Sequence, residues 1–303
     1  MHYAFYIMHC AVTAPCSLLL ANFFIKLKRH TMQIFNCHVH THNSPDSMAS
    51  PEENSVQAKK AGLIGYAVTD HCDFPFPDAD LMAQKLLLTA KENEEQRQKH
   101  TELKILTGIE LAEAVWDKSY EHRFSTLYDW DIIMGSVHAV RMKGHEEYFS
   151  IIDFSEVSDE FITQYLNQYF IDLEETAETA DYDSLSHLTV PLRYIVHKYN
   201  RSIDLSNWNE NIDNILKSVI KRQKSLELNT SGYCGDKPYF MPDEKIIERY
   251  IKLGGHDFTI GSDAHIPTNM ACGLKEGVNL LKSHGVNTLN YYEKRKKITY
   301  NID

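Results

Sequence analysis

Six cysteines are scattered along 303 residues, and no two of them form a CxxC pair. That spacing offers neither a cysteine-rich zinc site nor a thioredoxin-like redox motif. Cys10, Cys16, Cys37, Cys72, Cys234 and Cys272 are therefore expected to be small buried hydrophobes in a reducing compartment rather than disulfide partners. Positive charge is also scarce. Thirty-one Lys and Arg against 42 Asp and Glu leave a net charge of −11, which excludes a broad nucleic-acid or membrane footprint. An anionic substrate is not excluded, because bound cations can dominate a local potential. The 13 glycines and 9 prolines gather into no phosphate-cradling loop, linker or fixed-period repeat. No Ser-His-Asp order suggestive of nucleophilic catalysis stands out either.

One largely apolar stretch is present, from Ala4 to Ile25, followed by Lys26-Leu27-Lys28-Arg29. Its length would suit a signal anchor. However, no basic residue precedes it, and His9, Pro15 and Asn22 interrupt it. Met32 then opens a compact strand that runs directly into the first histidine motif. Residues 1–31 are accordingly expected to be an extension upstream of a natural start at Met32, with a membrane-associated N-terminus as the alternative. Residues 32–303 are expected to form one cytoplasmic domain; a homo-oligomer is left open.

What the chain does have is alternation. Strand-like segments near 33–37, 65–69, 104–109, 131–135, 182–186, 225–229 and 257–261 are separated by helix-like ones, the pattern of βα units on a parallel sheet. Ser50-Pro51-Glu52-Glu53 combines a capping box with proline at the first helical position, and Gly62 closes that helix. Further helices are expected over Ala79–His100, Asp159–Ala180, Asn209–Lys224 and Pro242–Leu253. Seven such units would close as a distorted α/β barrel, one unit short of the eight-fold type.

Histidines and acids recur at the ends of these strands: His38-Val39-His40, His71, Glu110, His138, His187, and Asp263-Ala264-His265. Neutral imidazole and carboxylate are the standard ligands of Zn, Mn and Fe. The C-terminal strand ends of a barrel all lie on one face. His38 and His40, two apart, can share one ion on an extended strand, and the same alternation is expected to turn Cys37 away. With Asp46 added there are nine candidate ligands, too many for one ion. Two or three divalent metals are expected, which points to metal-assisted hydrolysis. Arg193, six residues beyond His187, is a candidate phosphate clamp. Arg141, Lys143 and His145 are weaker ones, and Tyr233, Tyr239 and Phe240 are candidates for a substrate wall.

His38-Val39-His40-Thr41, Thr69-Asp70-His71, Gly108-Ile109-Glu110, Ser136-Val137-His138 and Gly261-Ser262-Asp263-Ala264-His265, in this order, resemble the motifs of the PHP (polymerase and histidinol phosphatase) family. Ser186-His187-Leu188 and Leu226-Glu227-Leu228-Asn229-Thr230-Ser231-Gly232 resemble its histidinol-phosphatase branch most. The resemblance implies a (β/α)7 barrel with a trinuclear site. His38, His40, Glu110 and Asp263 would hold one metal. Glu110 as bridge would join His138 and His187 on a second, and Asp46, His71 and His265 would hold the third. Asp46 stands where many relatives carry His, and His42 is the weaker substitute. The implied activity is phosphomonoester hydrolysis by a metal-bridging hydroxide, with Asp263 or His265 shuttling the proton and L-histidinol phosphate as the leading substrate. Another small phosphate ester, such as a nucleotide or sugar phosphate, and a non-catalytic metal-binding module are the alternatives.

Overall fold

The computed structural model describes residues 33–74 and 78–302. The expected extension over residues 1–31 lies outside the described residues. Seven parallel strands follow one another around the sheet in chain order: β1 (Phe35–Val39), β2 (Gly65–Asp73), β3 (Lys104–Ala112), β4 (Ile132–Ser136), β5 (Ser184–Leu185), β6 (Ser225–Asn229) and β7 (Phe258–Gly261). The barrel closes just past β7, where Val39 bridges Ala264, His40 N donates to Ala264 O and Asp263 N donates to His38 O. The expected distorted (β/α)7 barrel is the observed one.

The connecting helices are α1 (Pro51–Ala61), α2 (Ala79–Lys99), α3 (Lys118–Ser125), α4 (Asp159–Thr179), α5 (Asn209–Lys221), α6 (Glu244–Lys252) and α7 (Leu274–Ser283). Their starts follow local chemistry. Ser50 and Glu53 complete the capping box of α1, and Gly62 ends that helix at φ 76°. Asp78, Asp117, Ser158 and Asp243 accept from first-turn amides of α2, α3, α4 and α6. The short α3 and the glycine-started α7 are not anticipated by periodicity. Nor is the six-residue π-helical turn Arg193–Lys198, a form that recurs at functional sites.

Each strand is buried on both faces, as parallel sheets require. One face packs under the helices through Val68, Ile109, Ile133 and Leu226. The other, facing the barrel axis, begins with a small apolar floor of Phe35, Cys37, Ala67, Leu106, Ile132, Met134 and Tyr292. Tyr292 belongs to a C-terminal antiparallel hairpin, β8 (Thr288–Glu293) and β9 (Lys296–Asn301), that plugs this end. Arg295 fastens the hairpin by pairing with Asp181 and Asp183. Above the floor, Leu106-x-Gly108-x-Glu110 and Met134-x-Ser136-x-His138 step from apolar to small to polar as they approach the C-terminal face.

Two expectations about cysteine need correcting. The pairing register shifts between Asn36 and Val39, so simple alternation fails there. Cys37 packs into the barrel floor with its Sγ 3.5 Å from Asn290 O, below the histidines and still not among them. Cys234 and Cys272, expected to be reduced, form a disulfide with Cα atoms 5.8 Å apart. The cause is tertiary: Thr230 Oγ1 donates to Cys272 O and Thr230 N to Gly261 O, which lays the loops after β6 and β7 side by side. A sequence separation of 38 hides that contact.

Candidate metal centre

All nine expected ligands converge on the C-terminal end of the barrel, where short distances link them into one continuous cluster. His38 Nε2 and His40 Nε2 lie 3.3 and 3.5 Å from Glu110 Oε2, and 3.7 and 3.3 Å from Asp263 Oδ1. His187 Nε2 and His138 Nε2 lie 2.7 and 3.2 Å from the other Glu110 oxygen, Oε1. His71 Nε2 and His265 Nε2 lie 3.5 and 3.4 Å from the two Asp46 oxygens and 3.3 Å from each other. Glu110, with no solvent exposure, turns Oε1 to His187 and His138, and its Oε2 lies between His38, His40 and, at 3.1 Å, His71 Nδ1. His42 stays out, half-exposed beside Glu92.

The next layer sets which nitrogen faces inward. His38 Nδ1 donates to Glu227 Oε1 at 2.8 Å. Ser44 Oγ gives its proton to Asp70 Oδ1, so it accepts from His40 Nδ1 at 3.0 Å. His138 Nδ1 donates to Asp73 Oδ1 at 3.3 Å and His265 Nδ1 to Asp263 O at 2.9 Å. With Nδ1 engaged in each ring, Nε2 is turned toward the cluster, the His38 and His40 atoms lying 3.1 Å apart. Such outer partners are the usual means of fixing a metal-ligating tautomer. Asp263, at φ 50°, and Glu113, at φ 53°, hold left-handed backbone conformations that side chains rarely adopt. Glu113 Oε1 in turn accepts from Ala139 N at 2.9 Å, bracing the segment that carries His138.

The buried charges are strongly coupled. Burial favours the neutral His38 and His138 rings, but the carboxylates outweigh it and raise both well above the usual histidine range. For His38 these are Glu110, Glu227 and Asp263; for His138 they are Glu110 and Asp73. His40 is pushed the other way by burial and by the neighbouring His265 and His71. Burial opposes ionisation of Glu110, yet the surrounding histidines hold it well below the usual carboxylate range. Glu110 Oε2 and His187 Nδ1 are buried without a hydrogen-bond partner. Converging lone pairs and an orphaned carboxylate oxygen suit divalent metal ions.

The centre floors a pocket of ≈ 300 Å³. Arg193 lines it from the π-helical turn, bonded to Ser231 Oγ and, at 3.0 Å, to Asp263 Oδ2. Arg141 does not; it pairs with Asp172 and Glu175. Lys143 and His145 are likewise not among the lining residues. The aromatic wall is Tyr148, Phe149 and Tyr194 rather than Tyr233, Tyr239 and Phe240. Tyr233 stacks on Phe240 instead, and Tyr239 on His197. Asp70 and Glu227 lie within the quoted motifs but carry no assigned role there, and Ser44 and Asp73 lie outside them; in the structure Glu227, Ser44 and Asp73 hold the histidine rings and Asp70 holds Ser44. Glu227 had a signal, a lone acid alternating with Leu226 and Leu228 in a buried strand.

Together these features define a parallel barrel with a donor set of the divalent-metal type at its C-terminal face. The PHP domain family model matches residues 36–231, and the chain belongs to that family. Its relatives include the probable histidinol-phosphatase of Clostridium acetobutylicum, 25% identical over 86% of this chain and 98% of that protein. The histidinol-phosphatase of Lactococcus lactis is 26% identical over 85% of this chain and 94% of that protein. Among solved structures, the L. lactis histidinol phosphate phosphatase, complexed with zinc, L-histidinol and phosphate, superimposes with a TM-score of 0.69 at 21% identity, covering 88% of this chain and 99% of that one. A putative histidinol phosphatase of Listeria monocytogenes also gives 0.69, at 19% identity, covering 80% and 99%. Among the described residues no helix is long and apolar enough to cross a membrane.

Proposed function

We propose that the protein is a metal-dependent phosphomonoesterase that hydrolyses L-histidinol phosphate to L-histidinol and phosphate, a step of histidine biosynthesis. The observation that carries this is the convergence of nine imidazole and carboxylate side chains around the buried Glu110 at the C-terminal end of the barrel. In this reading His38, His40, Glu110 and Asp263 hold one ion, Glu110, His138 and His187 a second, and Asp46, His71 and His265 a third. The ions are zinc, manganese or iron. When bound they supply an activated water and positive charge for the phosphoryl oxygens.

The remaining work falls to the chain's own groups. Arg193 offers a planar guanidinium to a phosphate oxygen and is already oriented by Ser231 and Asp263. In this reading Asp263 or His265, adjoining at the pocket floor, carries the proton released by the attacking water toward the departing alcohol. Tyr148, Phe149 and Tyr194 present flat apolar surface of the kind an imidazole ring packs against. The family membership and the names of the relatives support the same substrate.

The test is phosphate release from L-histidinol phosphate against a panel of nucleotide, sugar and other amino-alcohol phosphates, using protein loaded with Zn, Mn or Fe. The expected result is a clear preference for histidinol phosphate. Preference for another ester would reassign the substrate within the same chemistry. No turnover of any phosphomonoester by the loaded protein would overturn the enzyme reading.

A further inference from the structure

Strand β6 and the 3-10 turn that follows it carry three polar residues at alternate positions, Glu227 and Asn229 on the strand and Ser231 at the start of the turn, and they touch in series. Arg193 Nη2 donates to Ser231 Oγ. A hydroxyl that accepts from a guanidinium must place its own proton elsewhere, and Ser231 Oγ donates to Asn229 Oδ1 at 2.6 Å. That fixes the Asn229 amide, whose Nδ2 then donates to Glu227 Oε2 at 3.3 Å. Glu227 Oε1 accepts from His38 Nδ1, and Glu227 Oε2 also accepts from His187 N at 2.7 Å. Glu227 and Asn229 have no solvent exposure. Each group has one polarity open to it, so the row is directional from end to end. Gly261 leaves room for it, since a Cβ there would lie 2.3 Å from Glu227 Oε1 and 2.4 Å from His38 Cβ.

We infer that Glu227, Asn229 and Ser231 are positioning residues that hold the phosphate clamp Arg193 and the metal-facing histidine His38 in one register. This rests on the proposed roles of Arg193 and His38. The physical content is distance control. The clamp and the ligand belong to different elements, and a buried, fully polarised hydrogen-bond row between them resists independent movement. A change in the middle of the row is therefore felt at both ends, whereas a change at Ser231 is felt at the phosphate end.

The experiment measures calorimetric binding of inorganic phosphate to metal-loaded protein, and metal content after dialysis, for wild type, Ser231→Ala, Ser231→Thr and Asn229→Asp. Neither readout depends on which phosphate ester is the substrate, so failure of the histidinol-phosphate reading is distinguishable from failure of this one. Ser231→Ala is expected to weaken phosphate binding about tenfold with metal content unchanged, and Ser231→Thr, which keeps the hydroxyl, to restore it. Asn229→Asp sets a second carboxylate against Glu227, and is expected to lower both phosphate affinity and retained metal. Phosphate binding by Ser231→Ala within twofold of wild type would overturn the inference. So would an Asn229→Asp protein that keeps both properties. If Asn229→Asp does not fold, the Ser231 pair decides alone.

Discussion

At the scale of single residues, the centre depends on side chains that burial would not otherwise tolerate. Fully buried His38, His40 and Glu110 are costly unless paired or coordinated. His138 pairs with Glu110 from one ring nitrogen and Asp73 from the other. His138→Ala is expected to lower kcat by at least about 100-fold, while circular dichroism stays that of the folded barrel; undiminished turnover would place the chemistry elsewhere. Asp73→Asn keeps the shape but weakens the acceptor that orients His138. A loss of metal affinity of about 10- to 100-fold is expected, read from competition with a chromophoric chelator. Of these residues the strand-end histidines, Glu110 and Asp263 are legible in the sequence because each follows an apolar run. Asp73 is not, since its role depends on reaching across from β2 to a ring at the end of β4.

At the scale of elements, the barrel is held from below by a hairpin no helix or strand motif announced. Arg295 sits at its turn, at φ 61°, and reaches Asp181 and Asp183 at the start of β5. Burial of Asp181 would raise its pKa, but Arg295 outweighs it and the net shift is downward. A carboxylate with a depressed folded-state pKa contributes stability above its unfolded value, near 4, and loses it as pH falls through the folded value. Asp181 is about half exposed, so the contribution is modest. Asp181→Asn is thus expected to cost about 0.5–1 kcal/mol in urea unfolding at pH 7, with the deficit shrinking as the pH falls from about 4 through the lowered folded-state value. A deficit independent of pH would point to packing instead. Element starts are legible where a cap is local, as at Ser50, and illegible at α7, which follows Gly273 (φ 67°) with no side-chain cap.

At the scale of the whole molecule, seven strands contribute to one face a concentration of negative charge and imidazole that only a cation reconciles. Native protein binds metal through a preformed set that the unfolded chain lacks, so ligand linkage applies to the fold as a whole. Treatment with a strong chelator is expected to abolish activity and lower the unfolding temperature by about 5 °C or more; re-addition of Zn or Mn should restore both. An unchanged unfolding temperature with full metal removal would mean that the donor set tolerates its own repulsion. The order of βα units and the convergence of the nine candidate donors on one face could be taken from the sequence, because strand ends in a parallel barrel share a face whatever their separation. The contacts that cross between strands could not. Glu227 beneath His38, the row from Asn229 to Arg193, the Cys234–Cys272 disulfide and the hairpin plug each join residues that local pattern leaves unrelated. Periodicity says which way a side chain faces, and only the closed barrel says what it meets there.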